Sequence, residues 1–102
     1  MTDVAPLMKM LYAFAVLTRD GPPPPHVDQL PIIYNRLGFD VSESKWFDVL
    51  KQQGNLSVKE GNILATDSGL NAARALEGYV SQEYRERVTA LGRELIKEKH
   101  SK

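Results

Sequence analysis

Four consecutive prolines, Pro22–Pro25, constrain this chain more than any other feature of it. Proline has no amide donor and its ring clashes with the turn before it, so neither a helix interior nor a central strand can contain such a run. One segment must close before residue 22 and another must open after residue 25. The run itself predicts a polyproline II stub that acts as a rigid connector between two short helices. Such stubs also serve as ligands for aromatic-lined grooves, but the flanking basic residues typical of that use are missing here.

Upstream of the prolines the spacing predicts a helix over Pro6–Thr18. Leu7, Met10, Leu11, Phe14 and Leu17 share one face, Pro6 suits a first turn, and Thr2 or Asp3 can cap the start. Asp20-Gly21 ends it. Downstream, Asp28 is the expected N-cap of a second helix, with Leu30, Ile33 and Leu37 inward and Gly38 as the left-handed stop. A third helix follows Phe39-Asp40-Val41, with Ser42 as cap and Trp46, Val49 and Leu50 inward. The adjacent Phe47 faces another way: it is either a partly exposed contact patch or, as the expectation favours, packed beneath the hairpin or against the first helix. Gly54-Asn55 closes the helix.

Two short alternating runs, Leu56–Lys59 and Ile63–Thr66, flank Glu60-Gly61-Asn62 and predict a hairpin. Thr66, Asp67 and Ser68 then offer capping oxygens to a last helix from Leu70 to about Lys99, interrupted only by Gly78 and Gly92. Within it Tyr84, Val88, Leu91 and Leu95 recur at steps of four, three and four, a narrow seam like that of a coiled coil. A helix of that length outruns a small domain, so these four residues are expected to form a homodimer interface. The alternative is a helix that folds back on its own domain or frays after Arg93.

Helix, short helix, glycine turn, helix, hairpin, helix is the order of a winged helix-turn-helix domain, which the chain resembles over most of its length. Leu30–Leu37 and Gly38 stand where the first helix and turn of that motif stand, residues 41–50 where the recognition helix stands, and residues 56–66 where the wing stands. The stretch from Ile63 to Leu70 is similar to the strand-to-helix junction that follows the wing in small prokaryotic regulators. The expected fold is thus mostly α with a small β-hairpin: a winged-helix core over 1–69 and a long C-terminal helix over 70–102 in the same domain. The resemblance implies a homodimeric double-stranded-DNA-binding protein, a small transcriptional regulator. It would offer Ser44, Lys45, Lys51 and Gln52 to a major groove and Lys59 from the wing, with phosphate contacts from Arg85, Arg87 and the Lys97–Lys102 tail once two subunits are paired.

Charge runs against the simplest form of that expectation. The 102 residues carry 13 Lys or Arg and 13 Asp or Glu, whereas nucleic-acid binders concentrate positive charge. Residues 1–69 hold six bases against eight acids, and residues 70–102 hold seven against five. The basic surplus therefore sits at the C-terminal end, and Lys45 and Lys51 are offset by Glu43 and Asp48. A protein-interaction module on the same fold, docking through Phe47, the proline connector or the last helix, is the competing expectation.

Other functions find no footing. At 42% hydrophobic and 25% charged the chain has the composition of a folded domain, and no apolar run approaches the ~18 residues that span a bilayer. The absence of cysteine rules out thiolate metal sites and thiol nucleophiles and fits a reducing, cytoplasmic setting. His26 and His100 have no companion at metal spacing. Ser42 and Ser44 lack a neighbouring base, no carboxylate pair sits in an apolar context, and Glu60-Gly61-Asn62 is too short to cradle a phosphate. No enzyme activity, cofactor or metal is expected.

Overall fold

The computed structural model describes residues 5–20 and 24–100. The expected caps Thr2 and Asp3, Gly21, the first two prolines of the connector and Lys102 lie outside them. The order is α1 (Pro6–Asp20), α2 (Leu30–Leu37), α3 (Lys45–Gln52), β1 (Leu56–Lys59), β2 (Asn62–Ala65), α4 (Asp67–Leu76) and α5 (Gln82–His100). The chain is thus mostly helical with one antiparallel hairpin, as expected.

Helix α1 is the centre of the molecule. Met10, Leu11, Tyr12, Ala13, Phe14, Ala15 and Leu17 are all at most 6% exposed, so it is covered all round and not on the one face its spacing predicts. α3, α4, α5 and β2 all pack on it. Phe14 meets Phe47 of α3 with ring centroids 5.5 Å apart. The Tyr84 hydroxyl of α5 donates to the Lys9 carbonyl at 2.7 Å, and burial, with Tyr12 beside it, pushes that phenol well above its ordinary pKa.

Local chemistry closes α2 as expected. Gly38 takes φ +80°, its N–H donates to the Asn35 carbonyl and the Phe39 N–H donates to Tyr34. This is a Schellman stop, completed by an edge-on contact of Phe39 with Tyr34. The start differs from expectation. Asp28 is not its cap: α2 starts after Gln29 with no side-chain cap. His26 instead caps the turn before it, its Nδ1 accepting from the Asp28 N–H at 3.1 Å while Gln29 Oε1 accepts from the His26 N–H at 2.9 Å. A single 3₁₀ turn, Val27–Gln29, leads into α2. Another, Val41–Ser44, precedes α3, so the expected cap Ser42 lies inside a turn and makes no helix cap.

The hairpin has a two-residue turn, Glu60-Gly61, because Asn62 pairs with Lys59 as part of β2. Both turn residues have positive φ, 54° and 82°, the conformation that matches strand twist. The outer edge of β2 is covered by its own chain. The Ile63 N–H donates to the Pro25 carbonyl at 2.8 Å, and the Ala65 N–H donates to Thr18 Oγ1 at 3.0 Å. A bridge from His26 to Asn62 continues the pairing, and the Val27 N–H donates to the Gly61 carbonyl, so Pro25–Val27 adds a short third pairing that masks an edge.

The long last helix is a correction. It is two helices, α4 and α5, separated by a 3₁₀ turn over Glu77–Tyr79 and an extended Val80. Gly78 weakens the helix there, and Ser81 restarts it by accepting from the Tyr84 N–H. The break lets α5 fold back against α1 and α2. Tyr84, Val88, Leu91 and Leu95 are consequently core residues, 6, 0, 1 and 5% exposed. The expected homodimer seam is internal to one chain, and the case for pairing through it falls away.

An exposed bidentate pair ties α5 to α2: Arg36 Nε and Nη2 donate to Glu94, with Nη2 to Oε1 at 2.8 Å. The Arg36 hydrogen bonds and charge hold the Glu94 carboxyl below the usual range, against the raising effect of its desolvation. A depressed folded-state pKa contributes stability above the ordinary glutamate range and loses it as pH falls through the folded value. Glu94→Gln is expected to cost no more than about 1 kcal/mol at neutral pH. In a urea series its deficit relative to the native sequence should close as pH drops below about 4.

Candidate nucleic-acid interface

Helix α3 is held from beneath by Phe47 and Leu50, 6 and 1% exposed. Phe47 is core against α1, the favoured of its two readings, while Trp46, expected inward, is only partly buried. Leu50 lies three residues after Phe47 and four after Trp46, so spacing alone cannot choose between the two rings, and the contact with Phe14 decides. With Phe47 inward, Ser44, Lys45, Asp48, Lys51 and Gln52 form the exposed side. The four residues expected to meet DNA from this helix thus stand together on one surface.

Their electrostatics are mixed. Lys51 Nζ lies 3.5 Å from Asp48 Oδ1 and 5.2 Å from the Phe47 ring centroid. Lys45 Nζ sits 5.1 Å over the Trp46 ring. The Asp48 charge is felt on α2 as well: burial first, and Asp48 second, push the Tyr34 phenol up to about 12. Lys59 is exposed at the end of β1, beside Glu60 at the turn.

Arg85 and Arg87 are two residues apart on α5 and point to different sides of it. Arg87 turns toward the end of α2, where it would contact any side chain placed at Gly38, and its Nη2 pairs with Glu83 Oε1 at 3.0 Å. A polar cavity of 270 Å³ lies there, lined by Lys9, Gly38, Ser81 and Glu83 among others. Arg85 instead lies on the outward face with Thr89 and Arg93. Only the α3 residues of the expected set therefore form a single cluster. Ser81 followed by Gln82-Glu83, a capping residue with an acid in the first turn, is the signal that would have revealed where α5 begins and which way its arginines face.

Among the described residues no group of three His, Asp or Glu could hold a metal ion, and no helix is long and apolar enough to cross a membrane. Compared with protein-family models, curated proteins and solved structures, the chain matches none.

Proposed function

We propose that this chain is a DNA-binding protein of the winged helix-turn-helix class, a small cytoplasmic transcriptional regulator that presents α3 to the major groove. The observation that carries the reading is the exposed row Ser44, Lys45, Asp48, Lys51 and Gln52 on a helix anchored by Phe47 and Leu50. Such a helix can enter a groove without giving up any core contact. Lys51 and Gln52 have the chemistry to read base edges, Ser44 and Lys45 to meet phosphates, and Lys59 to approach from the hairpin. The edge-pairing of the Pro25–Val27 segment with the hairpin further supports the reading, since it fixes the wing to the body of the domain.

The acid beside Lys51 is a modest obstacle. An exposed pair three residues apart is worth under ~1 kcal/mol, so Lys51 can leave Asp48 for a phosphate or base at little cost. The competing docking module loses one of its three expected contacts, because Phe47 is packed against Phe14. Pairing of two chains is no part of the proposal.

Titrating a labelled mixed-sequence duplex by fluorescence anisotropy between roughly 50 and 200 mM salt tests it. Binding tighter than ~10⁻⁴ M that weakens steadily with salt is the expected result. Weaker, salt-insensitive binding overturns the proposal.

A further inference from the structure

The outward side of α5 carries cations that neither the core nor the α3 surface uses. Arg85, Thr89, Arg93 and Lys97 follow one another at four-residue steps and are all exposed. Four residues advance a helix by about 6 Å and keep nearly the same face. The row stands opposite the buried Tyr84, Val88, Leu91 and Leu95. Arg85, Thr89 and Arg93 line an open trough of 510 Å³ together with the acid Glu86, and Lys97 continues the row beyond it.

Most of the described acids of α5 are occupied elsewhere. Glu83 holds Arg87 and Glu94 holds Arg36. On the outward side Glu86 accepts from Gln82 Nε2 at 3.3 Å. Among the described residues none pairs with Arg85, Arg93 or Lys97. Arg93 and Lys97, one turn apart, repel each other in the free chain, so a polyanion that neutralises both is favoured. The α3 surface, with Asp48 beside Lys51, holds no comparable excess.

We propose that this face of α5 is a phosphate-backbone contact surface for duplex DNA, separate from the base-reading surface of α3. The proposal rests on the DNA-binding reading above. A linear array of unpaired guanidinium and ammonium groups matches a line of phosphates, and its affinity comes from releasing condensed counterions. The row carries no large apolar side chain to insert into a lipid interface, which argues against a membrane as the polyanion.

The test is the triple variant Arg85→Gln, Arg93→Gln, Lys97→Gln in the full chain. Glutamine keeps helix propensity at exposed positions, and circular dichroism verifies the fold. Each lost phosphate contact lowers the slope of log affinity against log salt by about 0.9. The triple variant should therefore lose a slope of between about 2 and 3. The native chain's drop in affinity between roughly 50 and 200 mM salt should shrink by about 40-fold, with unchanged preference among duplex sequences. A matched Lys51→Gln, Gln52→Ala variant on the base-reading surface should instead change that preference. If the native chain binds with a salt slope that the triple variant retains, this inference fails and the α3 reading stands. If the native chain shows no salt-dependent binding, both fail.

Discussion

Gly69→Ala is expected to lower the stability of the fold by about 3 kcal/mol or more, the upper range for forcing atoms into a packed site. The direction is the opposite of the ordinary one, since alanine in a helix is favoured over glycine by about 1 kcal/mol. Gly69 lies buried in the first turn of α4, and a Cβ built on it would stand 2.1 Å from the Asn55 carbonyl oxygen. That carbonyl cannot retreat cheaply. It accepts the Thr66 N–H at 3.0 Å, while the Asn55 N–H donates to Leu50 at 3.0 Å to close α3. Thr66 Oγ1 is engaged on both sides, donating to the Gly54 carbonyl and accepting the Gly69 N–H. Moving Asn55 thus loosens the end of α3 and the start of α4 together. Urea unfolding of Gly69→Ala beside Gly78→Ala checks the argument, because Gly78 has open space around it. A large loss at 69 with little change at 78 is expected; equal midpoints for the two variants would refute it.

The junction also shows what the sequence reveals about this fold and what it conceals. Features set by a few adjacent residues were legible. The proline run breaks the first helical region, Gly38 stops α2, Gly54-Asn55 stops α3, and alternation around Gly61 makes the hairpin. The exposed side of α3 was legible for the same reason, since Ser44, Lys45, Lys51 and Gln52 are polar residues on a short amphipathic helix. Features set by distant partners were not. Whether Phe47 or Trp46 enters the core depends on Phe14, thirty-odd residues away in sequence. The burial of α1 on all sides depends on four elements that arrive later in the chain. The clearest failure is α5: a seam at coiled-coil spacing looks the same whether a second chain or the chain's own α1 covers it. Only the break at Glu77–Ser81, where the local signal is a single Gly and a capping Ser, separates the two outcomes. Arg85 and Arg87 face different surfaces for a simpler reason, since residues two apart on one helix never share a side.

Leu91→Ala tests that reversal directly. Leu91 is 1% exposed, and the neighbouring Gly92 lets α5 approach α1 closely enough that a Cβ there would lie 3.3 Å from Leu17. Removing a buried leucine side chain from such a tightly packed site loses its transfer free energy and leaves a cavity, an expected cost of 2–5 kcal/mol by order of magnitude, or about 10 °C or more in Tm for a domain this size. Because the covering atoms belong to the same chain, both the native Tm and the loss should be independent of protein concentration. A seam shared by two chains would behave otherwise: mass action would raise the native Tm with concentration, and dilution would shrink the difference between the two proteins. Thr89→Ala on the outward side, away from the core, should stay within about 0.5 kcal/mol of the native stability. Thermal scans at dilute and concentrated protein therefore separate the two arrangements. A concentration-dependent Tm would return Tyr84, Val88, Leu91 and Leu95 to an interface between chains. A constant one leaves the outward face of α5, and not its apolar seam, as the part of this helix open to a partner.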